Sequence, residues 1–328
     1  MTRKIFKNLD RRNFLKSISF GLIGTNFLFK KGPIISLVPE NKSRVVIGSS
    51  EKLLSAEGSE YIELVRKGVD QSIMTLAGGL TPQEAWNKII KKDDVVGLKV
   101  TYERTKTDYQ LIYGVANSLI DAGLPPENII IFERADYDLT LGNHKINRTN
   151  KGIKCFGIIK EEWHGATNES DKFNPQIYDI AGNKIQVCKI VADMCSVIIN
   201  IPVIKRMSLS GFSTAMKNHF GCINSPANLH GDNLSKHIAI LNTVQPIKNK
   251  TKLIICDAIR NFGSDHVGTG SIIMSRDPVA LDYTAKGILE KHLKREISPK
   301  PSFIDIAAQL GVGVNDPKKI EWIEFDIT

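Results

Sequence analysis

V-I-I-N-I-P-V-I-K-R-M-S-L-S-G-F-S-T-A-M-K-N-H-F-G-C-I-N-S-P-A-N-L-H-G, residues 197–231, is the stretch around which the chain is organised. It begins with an apolar run, Val197 to Ile199, which is too short for a helix and typical of a buried parallel strand. Polar residues follow at once: Asn200, Lys205, Ser213, Lys217, Asn218, His219, Asn224 and His230. Because ligands of α/β proteins bind at the carboxyl ends of strands, this stretch predicts a ligand site.

Strand-like and helix-like segments alternate through the rest of the chain. Buried strands are predicted at 44–48, 94–100, 128–132, 184–191, 252–257, 271–275 and 320–325. Thr81 before Pro82, and Asp277 before Pro278, are typical helix starts. The pattern predicts an α/β fold with a mostly parallel sheet and helices on both faces. We expect residues 44–328 to form a single domain, and the sequence leaves open whether that domain divides into two lobes. An irregular insertion is expected at about 137–183.

The chain has 328 residues and a formal net charge of +9, but the charge is concentrated at the start. Residues 1–31 hold eight Lys and Arg residues and one acid, so the remainder carries 36 basic and 34 acidic residues. A nearly neutral body argues against nucleic-acid binding through bulk charge. The five cysteines form no C-x-x-C pair, so the spacing of neither a zinc ribbon nor a ferredoxin cluster is present.

Asp10-Arg-Arg-Asn-Phe-Leu-Lys16 is similar to a twin-arginine export signal, and an apolar stretch follows it to Phe29. We expect Arg11 and Arg12 to be read by the twin-arginine export machinery. The alternative is a basic amphipathic helix on a membrane surface. The export reading predicts residues 1–31 as a signal segment, 32–43 as a linker and a periplasmic or extracytoplasmic protein. An uncleaved signal would tether that protein to the membrane.

Apolar residues at helical spacing run from Leu209 to Phe220 and predict a short helix. One face of that helix would carry Ser210, Ser213 and Lys217 and present an ammonium group and hydroxyls to an anion. The alternative is a solvated polar face. Four cations lie at or beyond strand ends and suit a phosphate or carboxylate: Lys99, Arg134, Lys205 and Lys217. Ion pairs with Asp257, Asp277 or Asp282 are the structural alternative.

Histidines 219, 230 and 237 fall in one short region, and Asp257 ends a strand of the same predicted sheet. His219 is the candidate acid–base residue, and His230 with Asp257 are the candidate metal ligands. The spacing matches no closed metal motif, so structural, hydrogen-bonded histidines are the alternative.

Several blocks together resemble the family called domain of unknown function 362, over about residues 44–290. The specific blocks are Lys217-Asn-His-Phe-Gly221 and Asp277-Pro-Val-Ala-Leu-Asp282. Many members of that family carry a ferredoxin-like domain. This chain lacks the cysteines, so the resemblance implies no iron–sulfur cluster here. Members often have a histidine where this chain has Met207.

A fainter resemblance is to the nickel-pincer lactate racemases, through Ser210-Gly-Phe-Ser-Thr-Ala-Met-Lys217. In those enzymes a lysine at that place holds the cofactor and a later histidine binds nickel, which implies Lys217 and His230 here. Their catalytic histidine again corresponds to Met207, so racemase activity itself is not implied.

Two functional hypotheses follow. The first is an exported protein that binds an anionic cofactor or a metal-linked ligand at Lys217 and has redox or isomerase-like chemistry. Lys217 and His219 would be catalytic, with Lys99, Arg134, Lys205, Ser213, Lys217 and Asn218 binding the ligand. The second is a non-catalytic extracytoplasmic binding or accessory protein for a redox partner. A third reading makes the block a packing device, with Lys217 in a salt bridge to Asp257 or Asp282.

Overall fold

Eight strands form one central sheet in the computed structural model, which describes residues 42–102, 105–160, 170–260 and 267–328. The strands of this sheet, with labels numbered along the chain, are β1 (Ser43–Ser49), β2 (Val96–Lys99), β3 (Ile129–Phe132), β4 (Lys154–Cys155), β7 (Val197–Asn200), β10 (Thr251–Ala258), β11 (Ser271–Ser275) and β12 (Ile320–Asp326). Their order across the sheet is β12-β1-β11-β10-β7-β2-β3-β4. The described residues belong to one compact unit.

Every neighbouring pair in this sheet is parallel except the two pairs made by β11, which runs antiparallel to β1 and to β10. The central strands are continuous apolar runs because both faces of the sheet are covered. Successive side chains of β7 therefore enter different cores, with Val197 and Ile199 on one face and Ile198 on the other. The predicted α/β class with a mostly parallel sheet is confirmed.

Helices cover both faces. In the described ranges they are α1 (Lys52–Ser55), α2 (Gly58–Ala77), α3 (Pro82–Trp86), α4 (Tyr109–Asp121), α5 (Asp136–Leu141), α6 (Ala215–Asn218), α7 (Leu234–Leu241), α8 (Gln245–Lys250), α9 (Pro278–Leu293) and α10 (Phe303–Gln309). The core of one face includes residues of α2 and α4, and that of the other includes residues of α7, α9 and α10. None of these helices has the length and the apolar run that crossing a membrane requires.

Two predicted helix starts are confirmed by their caps. The Thr81 hydroxyl accepts a hydrogen bond from the Glu84 amide at 3.2 Å, and Pro82 opens α3. The Asp277 carboxylate accepts from the amides of Val279 and Ala280 at the start of α9. Each cap satisfies amides that have no partner inside the helix.

Two hairpins lie outside the central sheet. The first pairs β5 (Phe173–Ile180) with β6 (Asn183–Cys188), and the second pairs β8 (Lys205–Met207) with β9 (Gly211–Ser213). The strand predicted over 184–191 ends at Cys188, and a single π-helical turn, Ile190–Met194, follows it. Within the range 137–183, β4 joins the edge of the central sheet beside β3.

The helix predicted from Leu209 to Phe220 is wrong. Residues 211–213 are strand β9, and the helix is only the four-residue α6, followed by a 3-10 turn at His219–Cys222. Gly211 has φ +81°, and a Cβ there would collide with the Pro299 carbonyl oxygen, so the backbone turns out of helical geometry at this glycine. Phe212 lies on strand β9, and its apolar side chain is buried against Phe303.

The predicted signal segment with Arg11 and Arg12 lies outside the described residues, as does the predicted linker up to residue 41.

Candidate functional site

The carboxyl ends of β2, β3 and β7 meet at one edge of the sheet. Lys99 is the last residue of β2 and is in register with Asn200 of β7 on one side and with Phe132 of β3 on the other. Glu133 comes directly after Phe132. Polar side chains that are separated along the chain are therefore adjacent in space, as the sequence predicts for a parallel sheet.

We call the group Lys99, Thr101, Glu133, Asn200 and Asn218 the inner network. Lys99 is fully buried, and its ammonium donates to Glu133 Oε1 at 3.0 Å, Asn218 Oδ1 at 3.2 Å and the Val100 carbonyl at 2.7 Å. The Thr101 hydroxyl also donates to Asn218 Oδ1, and Asn218 Nδ2 donates to Asn200 Oδ1 at 2.7 Å. These bonds attach α6 to the ends of β2 and β7.

The inner network explains the glycine of the Lys-Asn-His-Phe-Gly block. A Cβ at Gly221 would lie 3.0 Å from both Cε and Nζ of Lys99 and 3.4 Å from Glu133 Oε2. A side chain at this position would therefore crowd the buried Lys99–Glu133 ion pair.

Lys217, the neighbour of Asn218 on α6, makes contacts outside the inner network. Its Nζ is 3.2 Å from His230 Nε2 and 4.7 Å from the centre of the Phe220 ring. The Nδ1 atom of His230 is 2.9 Å from the Pro226 carbonyl, which can only accept, so Nδ1 carries the proton. The lone pair of Nε2 therefore faces the lysine. Lys217 is 6% exposed, and His230 is half-buried.

The β8–β9 hairpin leads into this part of the chain. Lys205 pairs directly with Ser213, and both residues are buried. Thr214 follows, and its hydroxyl is buried and has no hydrogen-bond partner among the described residues. We call Lys205, Ser213, Thr214, Lys217 and His230 the outer site.

Asp282 of α9 holds α6 in place between the two groups. Its carboxylate accepts from the amides of Ala215 and Met216 at 2.8 and 3.1 Å. Burial raises the pKa of Asp282 to about 7, and the two amide hydrogen bonds oppose that rise. Lys217 contacts His230, whereas the Asp282 carboxylate accepts from backbone amides, and within the described ranges no salt bridge joins Lys217 to Asp257 or Asp282.

His219 does not join the outer site. Its Nδ1 donates to Asn242 Oδ1 at 2.8 Å, and its Nε2 accepts from the Thr251 hydroxyl at 3.4 Å. Thr251 begins β10, whereas Asp257 lies near the other end of that strand. Burial lowers the pKa of His219 to about 4, so its imidazole is neutral near pH 7. Both ring nitrogens of the predicted acid–base residue are therefore engaged by side chains of the fold.

Arg134 and Asn218 also make internal contacts. Arg134 is buried, and Nη1 donates to the Ile223 carbonyl at 2.8 Å, which holds the chain just after the Lys-Asn-His-Phe-Gly block. Burial lowers the pKa of Arg134. Of the predicted ligand-binding residues, Lys99, Arg134 and Asn218 therefore bond other parts of the fold.

The Asp257 carboxylate has two backbone partners of its own. It accepts from the amides of Asp108 and Ile259 at 2.7 and 3.0 Å. Burial, and then the charge of Asp108, raise the pKa of Asp257 to about 7. The described residues contain no group of three or more His, Cys, Asp and Glu side chains placed to hold a metal ion. The geometry therefore does not unite the predicted metal ligands His230 and Asp257 in such a group.

Sequence reasoning did not assign roles to Asp108, Thr101 or Asn242. Asp108 caps α4 by accepting from the Leu111 amide and also accepts from the buried Tyr61 hydroxyl. Its position just before an amphipathic helix was a usable signal for the cap. Nothing local marks Thr101 or Asn242, because their partners lie far away in the chain.

Comparison with known proteins gives one family and several distant structural likenesses, of which two are described. No curated protein matches the sequence. A Thermotoga maritima protein is 13% identical with a TM-score of 0.39, and the match covers 76% of this chain and 59% of that one. The lactate racemase apoprotein of Thermoanaerobacterium thermosaccharolyticum is 11% identical with a TM-score of 0.40, covering 75% and 58%. The chain thus spans less than two thirds of both proteins, and likeness at this level says nothing about site chemistry.

The family match is of a different kind, because it rests on sequence and covers most of the residues described above. The model of the domain of unknown function DUF362 matches residues 96–286, from the first residue of β2 into α9. This range includes both specific blocks, the inner network and the outer site, and it confirms the resemblance drawn from those blocks. The chain belongs to the DUF362 family.

Proposed function

We propose that the chain binds a small anionic ligand at the outer site. The observation that carries this proposal is the Lys217–His230 pair, in which a nearly buried ammonium lies against a neutral imidazole and an aromatic face. A buried cation is stabilised by charge-assisted hydrogen bonds, and a carboxylate or phosphate oxygen is the strongest acceptor that a ligand brings.

The neighbouring residues supply further donors. Lys205 and Ser213 face each other across the hairpin, and the next residue, Thr214, has a buried hydroxyl with no hydrogen-bond partner among the described residues. An unsatisfied buried hydroxyl costs about 1–3 kcal/mol, which an oxygen of the ligand would recover. Two lysines and two hydroxyl groups on consecutive elements suit an anion better than a neutral ligand.

The same pair can hold and move a proton. The hydrogen bond to Pro226 fixes the tautomer of His230, so Nε2 is the basic atom and Lys217 Nζ is its neighbour at 3.2 Å. In our proposal the acid–base role assigned to His219 passes to His230, and Lys217 stays in the catalytic role. This arrangement is suited to redox or isomerase-like chemistry in which a proton leaves or joins the bound anion.

Ligand retention tests the proposal directly. The protein would be purified from its own host or a close relative and analysed by native mass spectrometry and ultraviolet–visible spectroscopy. We then expect Lys217→Met to weaken binding of the retained anion, or of the best small carboxylate or phosphate, by about 10- to 100-fold. Lys236→Met is the matched control, because Lys236 is exposed on α7 and the substitution removes the same charge. Equal affinity in both variants would contradict the proposal.

A non-catalytic binding or accessory role is the second candidate. The observation that favours it is that both ring nitrogens of His219 are engaged by Asn242 and Thr251, which leaves His230 as the single histidine of the outer site for proton transfer. Incubation of the bound anion in D₂O separates the candidates. Deuterium uptake at carbon that is lost in His230→Gln supports proton-transfer chemistry. Recovery of the anion without deuterium supports binding alone and directs attention to co-purifying redox partners.

We also propose that residues 1–31 direct the chain through the twin-arginine route to an extracytoplasmic location. The support is the arginine pair in register with the following Phe14-Leu15-Lys16. A double Arg11→Lys, Arg12→Lys variant should accumulate inside the cell in a fractionation experiment, whereas Arg3→Lys should be exported normally. Export of the double variant at the normal level would contradict this assignment.

A further inference from the structure

Two buried cysteines face each other beneath the site. Val187 at the end of β6 forms an antiparallel bridge with Ile223, and the Asn224 amide donates to the Gln186 carbonyl at 3.1 Å. The register of this isolated bridge, continued by one residue, places Cys188 opposite Cys222. Residues directly opposite in an antiparallel pair place their side chains on the same face.

The bond pattern fixes the kind of pair. Because the Asn224 amide bonds Gln186, the bridge between Val187 and Ile223 is the narrow, non-hydrogen-bonded position, and the next position is the wide one. Opposite Cα atoms at a wide position are separated by about 5.5 Å, within the range of about 4.4–6.8 Å that disulfides span. A bond between these residues therefore needs little movement of the backbone.

The surroundings of the two thiols are consistent with direct contact. Both residues are fully buried, and both belong to the same apolar core. The neighbouring Cys188 thiol, and then burial, raise the pKa of Cys222. A thiol with a raised pKa forms little thiolate, so exchange in the closed fold is slow and requires local opening.

We propose that Cys188 and Cys222 form a dithiol that is converted to an intrachain disulfide by thiol–disulfide exchange. The oxidant is a disulfide-bearing molecule, either an oxidised dithiol protein or a small disulfide such as oxidised glutathione. The two cysteines lose two hydrogens and form one S–S bond, and the oxidant's disulfide is reduced to two thiols. The proposal is independent of the ligand and of the export route.

The bond would close a loop that contains every residue of the outer site except His230. Cys222 also follows Gly221, which packs on Lys99, and precedes the carbonyls held by Arg134. Oxidation would therefore fasten β6 to the floor of the site. A cross-link of this length restricts the unfolded chain, and we expect the thermal midpoint to rise by about 5 °C or more.

The test uses the purified full chain, reduced and then incubated with oxidised glutathione, both in buffer and in mild urea that promotes local opening. Free thiols would be blocked after acid quench and denaturation, and the peptides mapped by mass spectrometry. We expect the free thiols to fall from five to three, with a Cys188–Cys222 cross-link. Cys188→Ser and Cys222→Ser should each lose the cross-link, whereas Cys256→Ser should keep it.

Three outcomes would overturn the proposal. The first is the absence of this cross-link in both solvents, and the second is the pairing of Cys222 with Cys195 instead. The third is a cross-linked protein whose thermal midpoint is unchanged or lowered, because it would show that the native geometry resists the bond.

Discussion

Lys99 and Lys217 are both buried near the same edge of the sheet, but they differ in the kind of partner that each contacts. Lys99 is fully buried, and its partners are a carboxylate, an amide oxygen and a backbone carbonyl. Lys217 is 6% exposed, and the partners given by the structure include an imidazole nitrogen and an aromatic ring. Both stand out in the sequence as cations after strands, yet the first belongs to the inner network and the second to the outer site. The comparison shows that a cation at a strand end indicates where a site is expected. It does not indicate which cation stabilises the fold.

The largest effect is expected for the inner lysine. Lys99→Met would leave the Glu133 carboxylate buried without its cation, and breaking one side of a buried pair costs about 3–5 kcal/mol. Lys217→Met should cost only about 1 kcal/mol of unfolding free energy, because its ring contact and its neutral partner are replaced by apolar packing. Urea unfolding of the two variants measures this difference. Equal losses of unfolding free energy in the two variants would contradict the distinction between the inner network and the outer site.

A smaller loss is expected beneath the Lys-Asn-His-Phe-Gly block, where His219 is anchored. Asn242 accepts from His219 Nδ1 and donates to the carbonyls of Met216 and Ile238, all buried. Asn242→Ala should therefore lower the unfolding free energy by about 2 kcal/mol through unsatisfied buried groups. Asn249→Ala on the exposed surface of α8 is the control and should stay within about 0.5 kcal/mol. If Asn242→Ala left the unfolding free energy unchanged, His219 would again be a candidate for the site.

Much of this arrangement could be predicted from the sequence. The strands were recognisable because they are buried on both faces and read as continuous apolar runs. The capped helix starts follow from local chemistry at Thr81 and Asp277.

The remainder depends on contacts that are distant along the chain. The apolar spacing from Leu209 to Phe220 fits a helix, but Phe212 is buried from a strand against Phe303 of α10. The inner network depends on the register that sets Lys99 beside Asn200, which no local pattern specifies. The reversed direction of β11 likewise follows from which strands it pairs with, not from its apolar sequence.

The pH dependence of stability separates a buried carboxyl from the two lysines. Burial raises the folded-state pKa of Asp257 to about 7, with Asp108 beside it and Tyr61 hydrogen-bonded to Asp108. The folded chain thus holds a proton that the unfolded chain releases above about pH 4. This contribution to stability is complete below about pH 4 and is lost as the pH rises through about 7.

Between these values Asp257 should lower the unfolding free energy by up to about 1.4 kcal/mol per pH unit. The measurement is urea unfolding at several pH values for the wild type and Asp257→Asn, because the difference cancels the opposite trend of buried His219, whose pKa is lowered to about 4. A difference between the two proteins that stays constant from pH 4 to 7 would contradict the assignment.

The smallest expected effect tests whether the aromatic face takes part in holding the outer lysine. Phe220 is 4% exposed and lies below Lys217 Nζ, with its ring also in edge contact with His230. A leucine at this position keeps an apolar side chain but removes the negative face of the ring, so Phe220→Leu mixes a packing change with the loss of the cation–π contact. A double-mutant cycle with Lys217→Met isolates the second part, and we expect a coupling of about 0.5–1 kcal/mol. The corresponding cycle of Phe220→Leu with Lys99→Met should show a coupling near zero, because Lys99 bonds oxygen atoms and not the ring. A larger coupling to Lys99 than to Lys217 would mean that the ring supports the inner network, and the outer lysine would then be held by His230 and the ligand.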